Sequence, residues 1–370
     1  MRPAPASQTP TPTRPLIDLA SPAMIIAIVL ALTALRLVAA ATIGLTEDEA
    51  YYRLWAMAPA WSYYDHPPMV AWWIAAGQAI FGDTTLGIRF FTVMAVSVGS
   101  LAIWRAGALL TADARVAGRA VVWFNATLLV GIGAMIATPD VPSAFFWGLA
   151  LWALVELVHS DDGRWWLAVG LFAGLGLLAK YSGLFLGGGI LLWLVAVPGQ
   201  RKWLASPWLW IGGILALILF LPVVLWNASH EWVSFAKQFG RVAGSQLDER
   251  FIPEFLLAEV GLIGPLMIPF LVLGVVGIVR APRRENPGRW LLLLSSLPFL
   301  AYLLVHGLHD RVQGNWPAPL YPAVALISAE AASLALIAPG RARGWLVLRR
   351  LVAPVGFGLA LFTPASRPGS

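Results

Sequence analysis

The residues of this chain whose types could do chemistry cluster in one loop between long apolar stretches. The loop begins with three consecutive acids, Glu47, Asp48 and Glu49, and continues to Asp65 and His66, with tyrosine and tryptophan residues between them. A carboxylate in such a place can take a proton from a reacting hydroxyl as a general base. Tyr and Trp rings favour the boundary between membrane and water. The loop therefore predicts a site that binds a polar substrate and moves a proton at a membrane surface.

The spacing of the three acids suggests different roles for them. Thr46 and Glu49 have the spacing of a capping box, in which Thr46 caps a helix and Glu49 bonds back to the Thr46 N–H. Glu47 would take the first helical position, where the helix dipole favours a carboxylate. Capping leaves Asp48 unexplained, so Asp48 is the acid of this group that is available for another role. In the alternative, all three acids only mark the start of a helix.

The second half of the loop predicts a substrate-binding wall. Asp65 and His66 are expected to face the first motif and to bind substrate hydroxyls or a cation, and Tyr52 and Tyr64 are further substrate-binding candidates. Asp or His before a pair of prolines is also a good helix entrance, because Pro is tolerated in the first helical turn. That structural interpretation of residues 65–68 stays open.

Two residues in later segments are further candidates for substrate binding. Asp140 follows Thr-Pro at the outer end of a predicted helical hairpin, and it could bind substrate or simply cap the next helix. Lys180 ends an otherwise apolar run, and it could hold a phosphate or extend to the membrane surface.

A late polar segment, residues 306–317, carries His309, Arg311 and Asn315. We predict that these three side chains bind substrate, although a structural loop would also explain them. Histidines and carboxylates on one side of a membrane could also bind a divalent metal ion, with Asp65, His66 and Asp140 as candidates. The spacing matches no compact metal motif, so no cofactor is certain and a metal ion stays an open alternative.

Composition sets the class of the protein. Of 370 residues 59% are hydrophobic and 12% charged, and the mean hydropathy is +0.75, which excludes an ordinary soluble domain. The net charge of +6 does not indicate nucleic-acid binding, because the basic residues form short clusters between apolar runs. There is no cysteine, which excludes disulfides and thiolate metal sites.

The apolar runs predict an all-α polytopic membrane protein with about eleven transmembrane helices. The expected spans are 22–44, 86–108, 120–137, 141–158, 166–180, 182–198, 207–226, 256–279, 290–306, 317–338 and 345–362. Residues 1–20 are expected to be a disordered cytoplasmic tail, residues 21–363 the transmembrane domain, and residues 364–370 a short C-terminal tail. The loops 46–85 and 227–255 are long enough to carry juxtamembrane helices.

Arginine and lysine predict the orientation. With the N-terminus in the cytoplasm, every second loop is basic, as the positive-inside rule requires. The acidic loops then face outward. We therefore expect a multi-pass inner-membrane protein whose functional groups face the periplasm or the outside.

Five short motifs occur in order along the chain. They are Asp-Glu-Ala-Tyr-Tyr at 48–52, Tyr-Asp-His-Pro-Pro at 64–68, Thr-Pro-Asp at 138–140, Ala-Lys-Tyr at 179–181 and Gln-Gly-Asn-Trp-Pro at 313–317. Together they resemble the pattern of the ArnT-like and protein O-mannosyltransferase-like glycosyltransferases, family 39/83 relatives within the GT-C superfamily. The resemblance covers about residues 22–340. Many relatives continue into a further C-terminal region, which puts the acceptor in doubt.

The resemblance implies a membrane enzyme that moves a sugar from a polyprenyl-phosphate carrier to an acceptor outside the cytoplasm. It places Asp48 at the catalytic aspartate, Glu49 at the neighbouring acid, and Asp65, His66, Asp140 and Lys180 near the donor. Asp48 would accept the proton of the attacking hydroxyl as a general base. A single displacement is expected to invert the anomeric carbon.

The acceptor stays open among a lipid, a glycan and a protein hydroxyl. The alternative function is a transporter or flippase of a lipid-linked sugar. Such a protein would have polar groups spread through its spans and two halves related by a repeat, and the sequence shows neither.

Overall fold

The computed structural model describes residues 18–240, 247–335 and 342–362, without the side chains of Phe239 and Ala342, and these residues form helices and no strand. Residues 1–17 of the predicted N-terminal tail, and the predicted tail 364–370, lie outside the described residues. The helices, named α1 to α16 in chain order, are Pro22–Thr42, Glu47–Met57, Met69–Phe81, Thr85–Thr111, Ala114–Ala126, Leu128–Gly133, Asp140–Ser160, Trp165–Ala179, Gly183–Ala196, Pro207–Ser229, Val233–Phe239, Phe251–Ile263, Ile268–Arg280, Pro287–His306, Tyr321–Leu334 and Ala342–Phe362. Two short 3-10 turns lie at Gln200–Ala205 and Ala318–Leu320.

The all-helical class is as predicted, but the count of about eleven spans is not confirmed. Within the described residues, six helices are long and apolar enough to cross a membrane, and the bent pair α12–α13 makes a seventh if it is one span. The six lie at Pro22–Thr42, Thr85–Thr111, Asp140–Ser160, Pro207–Ser229, Pro287–His306 and Arg343–Phe362. Several other predicted spans are shorter apolar helices of 10–17 residues.

Two predicted spans are interrupted for visible reasons. The span expected at 120–137 breaks at Thr127, whose hydroxyl caps α6 by accepting the Val130 N–H at 3.3 Å. The span expected at 256–279 bends by 103° between α12 and α13. Gly264 there has φ +103, which favours glycine, and Pro265 follows it. Apolar composition alone does not show either break.

Close helix contacts depend on small residues. A Cβ atom added to Gly170 on α8 would lie 2.0 Å from the backbone oxygen of Gly212 on α10. Backbones approach this closely only where side chains are absent, as is common between membrane helices. Glycine at these two positions therefore fixes the packing of α8 against α10.

Charged side chains inside the bundle have partners. Glu156 accepts from Arg105 at 2.7 Å, and Glu330 pairs with Arg289 at 2.6 Å. Arg36 donates to the Asn125 side chain at 2.7 Å. Pairing of this kind is what a charge in an apolar bundle requires.

The helix ends form two distinct groups. At one end, α2 and α3 fill the loop 43–84 and α11 lies in the later loop, so both loops expected to carry helices do so. Ion pairs join these segments: Lys180 contacts Asp140, and Lys237 contacts Asp65. The loops at the other end are 112–115, 161–164, 200–206 and 281–289, and each carries at least one arginine.

Candidate active site

The first motif folds into a helix start of the predicted kind. Thr46 caps α2, and the capping box is complete. The Glu49 N–H donates to the Thr46 hydroxyl at 3.3 Å, and the Thr46 N–H donates to Glu49 Oε2 at 2.9 Å. The capping prediction for Thr46 and Glu49 is confirmed.

Glu49 does more than close the capping box. Its side chain is fully buried, and Arg89 of α4 donates to both carboxylate oxygens at 2.6 Å. The Ala137 N–H also donates to Oε1 at 3.0 Å. Burial acts to raise the pKa of Glu49, but the bonds from Arg89, Thr46 and Ala137 outweigh it and lower that pKa. Glu49 is therefore held as a buried anion that joins α2, α4 and the segment before α7.

Arg89 is a residue that the sequence analysis missed. It is 3% exposed, and it also donates to the carbonyls of Ile43 and Gly44 at 2.7 Å each, just after α1. A signal was available, since Arg89 lies inside an otherwise apolar predicted span and a charge there needs a partner. Its partner could not be chosen from sequence among the many acids of the loop.

A polar cavity of about 320 Å³ lies beside α2. Seven predicted site residues line it: Asp48, Tyr52, Asp65, His66, Asp140, Lys180 and Asn315. Other lining residues that were not predicted include Tyr51, Tyr181, Tyr302, Gln238, Gln313 and Trp316. Residues of all five sequence motifs thus meet in one cavity, although the motifs lie far apart in the chain.

Asp48 occupies a particular place in this arrangement. It borders the polar cavity and also a second cavity of about 290 Å³. Its side chain is exposed, and no hydrogen bond or ion pair joins it to another described residue. An ionised carboxylate without a bound donor is free to accept a proton.

The second cavity is mainly apolar. It is lined by residues of α4 to α7, among them Val96, Gly99, Phe124, Leu129, Val130 and Phe145. Asp48, Asp140 and Asn315 lie on the boundary that it shares with the polar cavity. A molecule with a polar head and an apolar chain could therefore occupy both cavities at once.

Asp140, Lys180 and Asn315 form one cluster on that boundary. Lys180 Nζ donates to Asp140 Oδ1 at 2.6 Å, and Asn315 Nδ2 donates to Oδ2 at 2.8 Å. Lys180 Nζ also lies 5.5 Å from the ring centre of Trp316. Asp140 does not cap α7 with its side chain. The cluster brings together three motifs and presents an ammonium group to the polar cavity.

Asp65 is held from two sides. Tyr51 donates to its Oδ2 at 2.6 Å, and Lys237 lies 3.0 Å from its Oδ1. Burial acts to raise the pKa of Asp65, but Tyr51 and Lys237 outweigh it and lower that pKa. Burial and the bond to Asp65 raise the pKa of Tyr51 to about 12. Asp65 therefore joins the loop 43–84 to α11.

Comparison with known proteins agrees with this architecture. The family model for dolichyl-phosphate-mannose-protein mannosyltransferases matches residues 65–226. The lipid A galacturonosyltransferase RgtD of Rhizobium johnstonii is 26% identical over 288 residues, covering 76% of this chain and 59% of the relative. The crystal structure of ArnT from Cupriavidus metallidurans bound to undecaprenyl phosphate superposes with a TM-score of 0.69 at 17% identity, covering 92% of this chain and 74% of that one. The chain therefore shares the ArnT fold, and part of its sequence is similar to these glycosyltransferases.

Other similarities agree with this assignment. An undecaprenyl phosphate-alpha-4-amino-4-deoxy-L-arabinose arabinosyl transferase of Pseudomonas fluorescens is 27% identical over 264 residues, covering 66% of this chain and 46% of the relative. The chain spans about half the length of the curated relatives that it matches. These findings give no support to the transporter or flippase alternative.

Three predicted substrate-binding residues do not line either cavity. Tyr64 is exposed, with Lys237 Nζ 4.4 Å from its ring centre. His309 bonds through Nδ1 to the Val305 carbonyl at 2.9 Å, and Arg311 is exposed, 3.7 Å from Glu254. In residues 306–317 only the second half lines the cavities, so His309 and Arg311 lie apart from the other candidates. Tyr64 lies apart from them as well.

The candidate metal ligands do not fit a divalent ion in this arrangement. Asp65 is paired with Lys237 and Asp140 with Lys180, so each carboxylate already has a cationic partner. A metal ion would have to displace a lysine at both positions. Among the described residues, no group of three His, Cys, Asp or Glu side chains could hold a metal ion.

Proposed function

We propose that this chain transfers a sugar from a polyprenyl-phosphate carrier to an acceptor hydroxyl, with Asp48 as the general base. One observation carries the proposal. Asp48 is a carboxylate without a hydrogen-bond partner among the described residues, at the boundary of a polar and an apolar cavity. The first cavity suits a sugar phosphate, and the second suits the first isoprene units of its carrier.

The reaction is a single displacement at the anomeric carbon. The acceptor oxygen forms a bond to that carbon, the bond from the carbon to the carrier phosphate oxygen breaks, and the acceptor proton passes to Asp48. A single displacement inverts the configuration of the anomeric carbon. The products are the glycosylated acceptor and the polyprenyl phosphate.

Lys180 is the group that we assign to the leaving phosphate. Its ammonium group lines the polar cavity and is fixed by Asp140. Negative charge grows on the phosphate as the bond breaks, and a fixed cation in a partly buried site stabilises it. Asn315 holds the other oxygen of Asp140, which leaves the lysine directed by a carboxylate that cannot rotate freely.

Glu49 takes a positioning role in this proposal instead of the catalytic role expected from sequence. Both of its oxygens are occupied by Arg89, Thr46 and Ala137, so neither is available to a substrate proton. The same bonds hold the start of α2 and the segment before Asp140 together. Glu49 thereby places Asp48 opposite the Lys180 cluster.

We further propose that the site faces the periplasm or the outside of an inner membrane. Each loop at the end of the bundle opposite to the cavities carries arginine, namely Arg115, Arg164, Arg201, Arg283, Arg284 and Arg289. Such loops stay on the cytoplasmic side. Acceptor classes stay open among lipid, glycan and protein hydroxyls, and the name of the relative RgtD makes lipid A the first acceptor to test.

The test compares Asp48→Asn with Glu47→Gln. Glu47 is the neighbouring exposed acid, and it lines neither cavity. Purified variants receive undecaprenyl-phosphate-linked galacturonic acid or 4-amino-4-deoxy-L-arabinose together with lipid A, and release of undecaprenyl phosphate is followed. Loss of a general base lowers turnover by about 10²–10⁴-fold in Asp48→Asn, whereas Glu47→Gln keeps wild-type turnover. Full turnover by Asp48→Asn would remove Asp48 from this role.

A further inference from the structure

A buried arginine in α1 has no carboxylate partner among the described residues. Arg36 is 5% exposed, and its guanidinium donates to Asn125 Oδ1 at 2.7 Å and to the Val130 carbonyl at 3.4 Å. A cation inside a membrane span is expensive, and such residues usually pair with an acid or with backbone carbonyls. The bonds of Arg36 therefore identify what its charge is used to hold.

Both partners of Arg36 flank the break between α5 and α6. Asn125 lies near the end of α5, Val130 lies in α6, and Thr127 between them caps α6. The Asn125 amide also donates to Ser100 Oγ of α4 at 2.9 Å. One guanidinium thus connects α1, α4 and both sides of the break.

The same elements form the wall of the apolar cavity. Leu129, Val130 and Gly133 line it from α6, and Val96 and Gly99 line it from α4. Val130 is at once a lining residue and the acceptor of a bond from the guanidinium. Arg36 itself does not line the cavity, so any effect on its contents must act through these neighbours.

We propose that Arg36 is a positioning residue that fixes the α5–α6 break and thereby sets the shape of the apolar cavity for the polyprenyl chain. The inference rests on the proposed function, since it takes the carrier chain as the occupant. Without the guanidinium, the Val130 carbonyl and the Asn125 amide oxygen lose a donor, and α6 is no longer tied to α1. A long prenyl chain then loses its fit, whereas a carrier too short to fill the cavity loses little.

Arg119→Met is the matched control for Arg36→Met. Arg119 is also a buried arginine, and it donates to the Ala329 carbonyl at 2.8 Å and to Ser333 Oγ at 2.7 Å. It lines neither cavity. Both substitutions remove a buried cation bonded to a carbonyl and a side-chain oxygen, so a general loss of stability affects both variants.

The experiment measures the Kd of undecaprenyl phosphate and of geranyl phosphate for the full chain in detergent. For Arg36→Met, we expect the Kd of undecaprenyl phosphate to rise about tenfold, or about 1.4 kcal/mol, with the Kd of geranyl phosphate unchanged. Arg119→Met should leave the ratio of the two Kd values at its wild-type value. Asn125→Ala, which breaks the same connection and keeps the charge, should change the ratio in the direction of Arg36→Met, and it decides the matter if Arg36→Met does not fold.

Several results would overturn the inference. These are an equal change of both Kd values in Arg36→Met, the same change of ratio in Arg119→Met, or a wild-type chain that binds neither phosphate. A wild-type chain that binds undecaprenyl phosphate but transfers no sugar would refute the proposed function alone. The Kd ratios would still decide the role of Arg36, because they do not depend on transfer.

Discussion

The bidentate pair of Glu49 with Arg89 gives the sharpest test of how the site is held. Glu49→Gln keeps the shape of the side chain but leaves Arg89 as a buried cation without its carboxylate, since Glu49 is fully buried and Arg89 is 3% exposed. Removing one partner of a buried ion pair costs about 3–5 kcal/mol. The single oxygen of the glutamine amide can still accept from either the Thr46 N–H or the Ala137 N–H, and this remaining bond favours the lower end of that range.

The assay is SDS-induced unfolding in mixed micelles, with Glu47→Gln as the exposed control. Arg89→Met should destabilise the chain in the same way, because Glu49 then loses its cation. The double variant Glu49→Gln with Arg89→Met should lose less than the sum of the two single losses, since it leaves no unpaired charge. Additive losses, or a Glu49→Gln chain as stable as Glu47→Gln, would refute the assignment of Glu49 as the buried anchor.

The same pair predicts a pH dependence. The folded chain lowers the pKa of Glu49 below its ordinary value of 4.5. The unfolded state therefore binds the proton more readily, and stability is fully present above pH 4.5 and decreases as the pH falls through the lowered pKa. Glu49→Gln should lack this part of the acid loss, which unfolding curves at a series of pH values below 5 would show.

Two further predictions concern the cluster at the cavity boundary. Lys180→Met should raise the KM for the polyprenyl-phosphate sugar and lower kcat by about 10²-fold, because the leaving phosphate loses its cation. Lys180→Arg should restore part of both constants. Steady-state kinetics with the polyprenyl-phosphate sugar measure this, and unchanged constants in Lys180→Met would exclude Lys180 from phosphate binding. Chelation with EDTA should leave turnover of purified protein unchanged, because the lysines on Asp65 and Asp140 already supply the positive charge; a loss that added Mg²⁺ or Mn²⁺ reverses would contradict that interpretation.

Local patterns predicted the parts of the site that depend on neighbouring residues. The capping box could be read from Thr46 and Glu49 because its bonds join residues three positions apart. Motif resemblance placed Asp140 and Lys180 near the donor, but the contacts that join Asp140, Lys180 and Asn315 were not predicted, since residues so far apart in sequence show no local sign of contact. The ion pairs of Arg89 with Glu49 and of Lys237 with Asp65 were not predicted, because the position of a cation in the sequence does not show which acid it contacts.

The number of spans was harder to predict, for a physical reason. Hydropathy reports whether a segment prefers an apolar environment, and it does so equally for straight and broken helices. The break at Thr127 depends on a side-chain cap and on the hydrogen bonds of Arg36 with its two partners. The bend after α12 depends on a positive φ at Gly264. Neither feature changes the average hydropathy of its run.

The adjacency of Asp48 and Glu49 links folding to function in this site. Successive residues of an α-helix point about 100° apart, because 3.6 residues complete a turn. Arg89, Thr46 and Ala137 fix the direction of Glu49 into the core, and they therefore also fix the rotation of α2 about its axis. Asp48, one position earlier, is then directed away from the core, to the boundary of the two cavities. The buried Glu49 thus sets the direction of its exposed neighbour, and in the proposed function this is what presents Asp48 to the acceptor hydroxyl.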